Sequence, residues 1–484
     1  MTATITVVGL GPGDPDLLTR KAWQTLTEAG EVFLRTRRHP GLDAIAERVQ
    51  LRDFDHLYEQ EREFEAVYQR IVDELLKETA RTDHVVYAVP GDPLVGEATV
   101  SELRERGPAA GVEVEIVHGV SFLEPTLALL GIDGLENVFV GDSHELAARY
   151  HPSFPPHAHV ILGQIHSRLV AADVKLSLMN QYPPDHPVTL VSWAGTNVPE
   201  MHTTNLHELD HYEEFGVAAA LYVPPLPQPA GFEEFQETVA HLRSPQGCPW
   251  DREQTHRSLR QHLLEESYEA LEAIDSQDMG ALQEELGDLL LQLVLQAQIA
   301  TEGDDFRMAD VIAGINEKLI RRHPHVFGDV EVEDVDQVLT NWEHLKEAER
   351  AEEGDTKGAL DGVPAALPAL AQAAEYQSRA GRLGFDWDDI EGVWDKVHEE
   401  MEEVSSAQSD AERGGEIGDL LFAVVNLARW MEIDPEVALR EANQRFARRF
   451  GQVENQAREQ GRSLAEMELE ELDSLWEAAK GRER

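Results

Sequence analysis

The sequence predicts a multidomain protein in which an N-terminal α/β domain is followed by two all-α units. Up to residue 224, short apolar runs such as ITVVGL at 5–10 and HVVYAV at 84–89 alternate with helical patterns. This alternation is typical of an α/β fold. Further along the chain, apolar residues recur at helical spacing instead. An acidic motif occurs twice in that helical part, which predicts a tandem duplication.

The predicted domain boundaries follow these changes in pattern. The proline-rich run VPPLPQP at 223–229 favours a stiff, extended linker. A polar stretch with three glycines begins at residue 351 and favours a second linker. The predicted parts are an α/β domain at 1–224, a linker at 225–231, a helical unit at 232–350, a linker at 351–364 and a helical unit at 365–484.

Composition excludes several classes of protein. The formal net charge is -51, which argues against nucleic acid as a partner. No run reaches the length of a membrane span, and we expect no signal peptide because the sequence opens with a strand-like run. The single cysteine, Cys248, fits a reducing compartment, so we expect a cytoplasmic protein. Only 8 of the 41 basic residues are lysines. We interpret this acid excess as adaptation to a cytoplasm rich in salt. The interpretation predicts that the stability of the folded protein rises between low and molar KCl.

Three glycine-bearing loops follow predicted strands of the α/β domain. They are GLGPGD at 9–14, PGDP at 90–93 and GVS at 119–121. One such loop is explained by a tight turn alone. Three at successive strand ends favour a ligand site, because glycine lets a cofactor approach the backbone N–H groups closely.

These loops resemble those of the tetrapyrrole methylase family over roughly residues 1–224. The resemblance implies a cofactor, S-adenosylmethionine, bound between two α/β halves. The matching residues are Gly9, Gly11, Pro12, Gly13, Asp14, Gly91, Asp92, Pro93, Gly119, Val120 and Ser121. Relatives that act on tetrapyrroles usually carry GGDP where this chain has PGDP. The resemblance therefore implies cofactor binding and leaves methylation of a tetrapyrrole unassigned.

The helical part begins with an acidic pattern. Glu265, Glu266 and Glu269 are separated by helical offsets, so one helix face carries all three carboxylates. After a short turn, Glu285 and Asp288 are again three residues apart. Two antiparallel helices would bring these groups together, and their mutual repulsion favours a bound cation. Carboxylate oxygens suit hard cations, so we expect Mg²⁺ or Mn²⁺.

The same pattern returns in the second helical unit. Its members are Glu399, Glu400, Glu403, Glu416 and Asp419. Both copies place a glycine between the second pair of acids, Gly287 and Gly418, which suggests close approach by a helix or a ligand. A single acidic helix face is usually just solvated. The duplication, and the apolar runs beside both copies, favour the metal interpretation instead.

Each acidic motif is followed by a basic helix. The segment 316–322, NEKLIRR, aligns without a gap with 443–449, NQRFARR. The aligned polar residues are Asn316, Lys318, Arg321 and Arg322 in the first copy and Asn443, Arg445, Arg448 and Arg449 in the second. Cations beside a metal cluster suit a polyphosphate. Salt bridges to the acids are an equally good explanation for the arginines.

Other polar residues admit two interpretations. His323 and His325 are potential ligands, although stacking or capping is the more common role of such histidines. Cys248 is a potential nucleophile, but it has no evident base beside it in the sequence. We therefore expect Cys248 to lie in a loop at 243–255, with Trp250 packing or forming part of a pocket wall.

The helical part resembles the MazG family of all-α nucleoside triphosphate pyrophosphohydrolases, as two tandem units at about 232–484. The motifs that carry the resemblance are CPWD at 248–251, the acidic patterns, RRHPHVFG at 321–328 and KGALDGVP at 357–364. It implies Mg²⁺-dependent cleavage of a nucleoside triphosphate to a monophosphate and pyrophosphate, with house-cleaning of non-standard nucleotides as a role. It also implies a homodimer or higher homo-oligomer with a four-helix core.

By position, the resemblance makes the ten motif acids catalytic metal ligands and the Asn, Lys and Arg residues substrate contacts. Trp476 would stack on a base or pack in the fold. Glu441 stands where relatives often carry lysine, so the resemblance leaves a basic contact at this point of the second site unassigned. The alternative function is a nucleotide or metal sensor without turnover.

Overall fold

A computed structural model describes residues 3–482 except 62–63, 217–218, 333, 336, 339–340, 343–344 and 346–357. The chain forms two compact units, Met1–Ile315 and Asn316–Arg484. The domain boundaries at 224 and 364 stay predictions. Residues 351–357, which hold half of the second predicted linker and the first residue of its KGALDGVP motif, lie outside the described residues.

A parallel five-stranded sheet with strand order β3-β2-β4-β1-β5 begins the chain. The strands are β1 Ala3–Gly9, β2 Glu31–Leu34, β3 Gln50–Asp53, β4 His84–Val89 and β5 Val112–Val117. The helices of this half are α1 Arg20–Glu28, α2 Asp43–Ala46, α3 Asp55–Gln60, α4 Phe64–Glu78, α5 Ala98–Ala109 and α6 Leu123–Leu130. Because β1 lies between β4 and β5, its apolar side chains are buried, with Ile5 and Val7 fully inaccessible.

A second, mixed sheet follows, with strand order β6-β7-β10-β8-β9. Its strands are β6 Val138–Asp142, β7 His159–Gly163, β8 Pro187–Ser192, β9 Glu200–Asn205 and β10 Ala219–Val223, with helices α7 Ser143–Ala147 and α8 Arg168–Leu178. Only β6 and β7 pair in parallel among these described strands. The predicted α/β class is confirmed.

The described chain after β10 contains no strand, as predicted. The first helices are α9 Phe232–Arg243, α10 Pro249–Glu253, α11 Arg260–Ser276, α12 Met279–Glu302, α13 Met308–Arg322 and α14 Pro324–Phe327. The later helices are α15 Ala369–Arg382, α16 Ile390–Ser406, α17 Asp410–Trp430, α18 Pro435–Glu459 and α19 Leu469–Arg482. Short 3₁₀ turns lie at Pro15–Leu17, Leu206–His211 and Leu464–Glu466.

Local chemistry turns α11 back onto α12. Gln277 adopts a left-handed conformation, with φ of 57°, and ends α11. Asp278 then caps α12, because its Oδ1 accepts hydrogen bonds from the N–H groups of Gly280 at 3.0 Å and Ala281 at 3.1 Å. The two residues between the helices therefore make a tight helical hairpin.

The second hairpin forms in a similar way. The helix α16 ends at Ser406, and Ser409 caps α17 by accepting a hydrogen bond from the Glu412 N–H at 3.2 Å. Both hairpins place an acidic helix beside the helix that carries the second acid pair.

Two local predictions are wrong. The sequence after the first glycine-bearing loop predicts a helix from about Leu17 with Asp16 as its cap; the structure instead has a 3₁₀ turn capped by Asp14, and α1 starts later with Thr19 as its cap. Pro15 starts the 3₁₀ turn and Thr19 caps a separate helix, so the segment does not form one continuous helix. The expected loop at 243–255 also contains α10, which proline again starts.

Candidate metal centres

The first hairpin brings three carboxylates together. Oxygens of Glu266 on α11 and of Glu285 and Asp288 on α12 all lie within 4.8 Å of one another. We call these three residues the first acidic cluster. No lysine or arginine among the described residues forms a salt bridge with any of them, so their repulsion is uncompensated within this part of the chain.

Partial burial and repulsion perturb this cluster. Burial, followed by the charges of Asp288 and Glu269, raises the pKa of Glu266 above its usual value. Burial and the same neighbouring acids also raise the pKa of Glu285. A divalent cation would relieve this repulsion, because opposite charge favours the ionised carboxylates.

The second hairpin holds a matching group. Oxygens of Glu400 on α16 and of Glu416 and Asp419 on α17 lie within 4.8 Å of one another, and we call them the second acidic cluster. Glu400 is only 4% exposed, and its Oε2 has no hydrogen-bond partner among the described residues. A buried carboxylate oxygen without a partner is costly, and a hard cation would satisfy it.

The remaining four predicted acids lie outside these clusters. Glu265 accepts a hydrogen bond from Gln261 at 2.8 Å along its own helix. Glu269 adds negative charge near Glu266 and Glu285. Burial, with the charges of Glu400 and Glu416, raises the pKa of Glu403.

The glycines between the paired acids face open space. A Cβ atom on Gly287 or Gly418 would meet no described atom within 4 Å. The close approach that we predicted there is thus not made by the described residues of the chain. Glycine inside a helix costs roughly 0.5–1 kcal/mol. The space beside Gly287 and Gly418 is open, so a ligand or a partner can approach both clusters there.

The predicted basic and amide residues lie on α13 and α18. The side chains of Asn316, Lys318 and Arg321 on α13 are exposed, as is that of Asn443 on α18. The remaining predicted contacts are Arg322 at the end of α13 and Arg445, Arg448 and Arg449 on α18. Arg445 donates to Glu441, the departure noted above, at 3.3 Å and one turn back. Glu441 therefore holds the Arg445 guanidinium along the helix.

The aromatic and histidine candidates take packing positions. The ring of Trp476 on α19 lies 5.2 Å from that of Phe446, against the core of the last two helices. His323 Nδ1 lies 2.7 Å from the Leu319 carbonyl oxygen, and its ring contacts those of His325 and Trp342. These contacts favour capping and stacking for the histidines.

The CPWD motif is held by an arginine that the sequence did not single out. Arg243 forms two hydrogen bonds with Glu302 at the end of α12, at 2.8 and 2.9 Å, and also donates to the carbonyl of Asp251. Cys248 lies at the start of α10, and Trp250 stands edge-on to His262 with ring centres 6.3 Å apart. These contacts hold the CPWD motif beside α11.

The three glycine-bearing loops meet at the carboxyl edge of the first sheet. A Cβ on Gly9 would lie 2.5 Å from the Gly91 carbonyl oxygen and 2.6 Å from the Gly119 nitrogen. Backbone packing alone therefore requires glycine at position 9. The N–H groups of Leu10 and Gly11 donate to Val89 and Gly91 carbonyls.

The other loop residues are arranged around this contact. Asp92 is buried, and its carboxylate accepts from the Gly119 N–H at 3.2 Å and lies 2.9 Å from His118 Nδ1. The Asp14 N–H donates to the Gly195 carbonyl of the second half at 3.0 Å. Pro12, Gly13, Pro93, Val120 and Ser121 lie in the same three loops. The three loops therefore lie together at the boundary between the two halves of the α/β domain.

Sequence reasoning missed one charged residue at the second acidic cluster. Lys396 Nζ lies 2.6 Å from Glu400 Oε1 and 3.1 Å from Glu399 Oε1. The signal was present, since a lysine three and four residues before acids on a helix faces them.

Comparison with known proteins agrees with these modules. The family model for tetrapyrrole (corrin/porphyrin) methylases matches residues 4–210, and the MazG nucleotide pyrophosphohydrolase domain matches residues 254–327. The uncharacterized protein YabN of Bacillus subtilis is 44% identical over 493 residues, covering 100% of both chains.

Two further relatives resemble about half of the chain. The nucleoside triphosphate pyrophosphohydrolase/pyrophosphatase MazG of Thermotoga maritima is 46% identical over 250 residues, 52% of this chain and 96% of its own. The nucleoside triphosphate pyrophosphohydrolase of Escherichia coli K12 is 44% identical over 251 residues, 51% of this chain and 95% of its own.

Fold and site thus define a protein that joins a methylase-like α/β module to helical hairpins with acidic clusters. The chain belongs to the MazG family, in the fused form that YabN represents. Among the described helices, none combines the length and the apolar character needed to cross a membrane.

Proposed function

We propose that this protein is a Mg²⁺-dependent nucleoside triphosphate pyrophosphohydrolase, which converts a triphosphate and water to a monophosphate and pyrophosphate. The observation that carries the proposal is the pair of acidic clusters, each with three carboxylates within 4.8 Å on a helical hairpin. The names of the relatives from Thermotoga maritima and Escherichia coli support the same reaction.

The chain's own residues fit this chemistry. Glu266, Glu285 and Asp288 would hold cations in the first acidic cluster, and Glu400, Glu416 and Asp419 in the second. A bound Mg²⁺ would neutralise phosphate charge and lower the pKa of a coordinated water. A neighbouring carboxylate that is not fully used as a ligand, Glu269 or Glu403, would accept the proton of the attacking water.

The basic helices carry the candidate phosphate contacts. We assign phosphate contacts to Lys318, Arg321 and Arg322 for the first copy and to Arg445, Arg448 and Arg449 for the second, since guanidinium groups bind phosphate oxygens bidentately. Asn316 and Asn443 would contact base, ribose or phosphate. Trp476 keeps both roles, base stacking and the packing on Phe446.

Product analysis separates the enzyme from the alternative sensor. We expect the protein, incubated with Mg²⁺ and a panel of standard and non-standard nucleoside triphosphates, to release pyrophosphate from at least one of them. Removal of the divalent cation with a chelator should stop the release, because the acidic clusters then repel the substrate. Binding of nucleotides without any pyrophosphate release would favour the sensor.

We also propose that the N-terminal module binds S-adenosylmethionine at the edge formed by its three loops. A Cβ on Gly91, whose φ is 65°, would meet only the Ser121 Cα at 3.9 Å. His39 Nε2 lies 2.9 Å from the Gly11 carbonyl oxygen, while its buried Nδ1 has no hydrogen-bond partner among the described residues. Both observations support a ligand there. Burial lowers the pKa of His39 and so disfavours its protonated form. Calorimetry with S-adenosylmethionine should show saturable binding, and absence of heat would favour a degenerate or dimerisation module.

The helical units leave large apolar side chains exposed, and we propose that a second copy of the chain covers them. Leu286 on α12 is 54% exposed, and Leu421 and Phe422 on α17 are 53% and 46% exposed. Large apolar side chains left exposed on helices are typical of an interface. A four-helix core shared between hairpins of two chains would bury it.

A further inference from the structure

The second acidic cluster contains a cation of its own. Lys396 Nζ lies between two carboxylates, 2.6 Å from Glu400 Oε1 and 3.1 Å from Glu399 Oε1. Both contacts run along α16 at the spacings that bring side chains together on a helix. The ammonium therefore compensates the buried Glu400 carboxylate through Oε1, while Oε2 has no hydrogen-bond partner in the described part of the chain.

The first acidic cluster has no such cation among the described residues. The position three residues before its Glu-Glu pair is occupied by His262, whose Nδ1 lies 3.3 Å from Glu265 Oε2. An imidazole carries a full charge only when protonated, and this contact is to Glu265 rather than to the cluster member Glu266. The two hairpins thus hold similar acids with different internal compensation.

We propose that Lys396 is an internal counter-ion that weakens the affinity of the second acidic cluster for free divalent cations relative to the first. This inference rests on the proposed function in taking both clusters as cation sites. An ammonium fixed on Glu400 repels an incoming divalent cation and competes for the same carboxylate. The first cluster offers uncompensated acids and binds free cations directly.

The difference makes the two clusters load in different ways. The first acidic cluster fills at low concentrations of free divalent cation. The second fills when the cation arrives with a triphosphate, because the phosphate charges offset the repulsion between the ammonium and the cation. Lys396 thereby couples cation binding in the second hairpin to the presence of nucleotide.

Mn²⁺ titration of the full chain, followed by electron paramagnetic resonance of the unbound ion, tests this without any activity assay. The pair Glu285→Gln and Asp288→Asn isolates the second cluster, and the pair Glu416→Gln and Asp419→Asn isolates the first. Without nucleotide, we expect the Kd for Mn²⁺ of the isolated second cluster to be at least about tenfold higher than that of the isolated first cluster.

Charge variants identify the residue responsible. Lys396→Met should tighten Mn²⁺ binding at the isolated second cluster about tenfold, and His262→Lys should weaken it at the isolated first cluster by a similar factor. Lys480→Met is the matched control, because Lys480 forms an i,i+3 pair with Glu477 at 3.2 Å in the same unit but outside the cluster. It should leave Mn²⁺ binding unchanged.

The possible outcomes distinguish a failure of the Lys396 proposal from a failure of the proposed pyrophosphohydrolase function. Equal Mn²⁺ affinities of the isolated clusters, or an unchanged affinity in Lys396→Met, would overturn the role of Lys396 and leave the proposed reaction standing. Absence of Mn²⁺ binding at both isolated clusters would overturn the cation sites and the proposed function together.

Discussion

Replacing Glu285 and Glu416 together by glutamine is expected to lower pyrophosphate release by at least about a thousandfold, since cation-mediated charge stabilisation contributes several kcal/mol to such reactions. Each substitution removes one charged ligand from a cluster whose oxygens lie within 4.8 Å. Glutamine keeps the size of the side chain and removes a charge that, in addition to burial, raises the pKa of a neighbouring carboxyl, Glu266 in the first cluster and Glu403 beside the second. We therefore expect the double variant to fold and to lose activity, measured as initial rates with saturating Mg²⁺.

The single variants assign the reaction to a hairpin. Full activity in Glu416→Gln would exclude the second acidic cluster as the principal site, and full activity in Glu285→Gln would exclude the first. Glu402→Gln is the matched control, because Glu402 is exposed on α16 and belongs to neither cluster. Retained activity in the double variant would contradict the proposal that these acids hold the catalytic cation.

The full-length protein is expected to sediment with at least twice the 54.1 kDa mass of one chain. Leu421 and Phe422 expose about half of their side chains on α17, and covering them would contribute roughly 25 cal/mol per Å² of apolar surface. Leu421→Glu places a charge at this surface, so it should shift the protein towards the monomer. Sedimentation velocity over a range of protein concentrations measures the shift.

The control uses the same change on the α/β module. Leu135 is 94% exposed and lies outside the helical units, so Leu135→Glu should leave the assembly unchanged. A wild-type protein that stays monomeric at micromolar concentration would contradict the shared four-helix core. Equal dissociation by both substitutions would show that charge in general, rather than the α17 surface, controls assembly.

Strands that are buried and apolar could be predicted from the sequence, and polar edge strands could not. The run HVVYAV at 84–89 coincides with β4, because five of its six residues are buried. β9, with the sequence EMHTTN at 200–205, is almost entirely exposed and has no apolar run. Its pairing with β8 fixes it as a strand, and that long-range contact leaves no local signal.

The sequence predicted which helices carry the acids of the candidate site, but it did not predict which of those acids meet in the hairpins. Helical spacing placed the acids of each motif on one face, but it did not rank Glu265 against Glu266. The rotation of α11 against α12 decides that Glu266 meets Glu285 and Asp288 while Glu265 bonds along its own helix. Helix rotation depends on core packing, which the acids themselves do not encode.

The most direct test of the proposed reaction is ³¹P nuclear magnetic resonance of a hydrolysed triphosphate with Mg²⁺ present. We expect resonances of a nucleoside monophosphate and pyrophosphate in equal amounts, and no orthophosphate, in the wild-type protein. The Glu285→Gln, Glu416→Gln double variant should leave the triphosphate intact. Formation of a diphosphate and orthophosphate would contradict cleavage between the α and β phosphates.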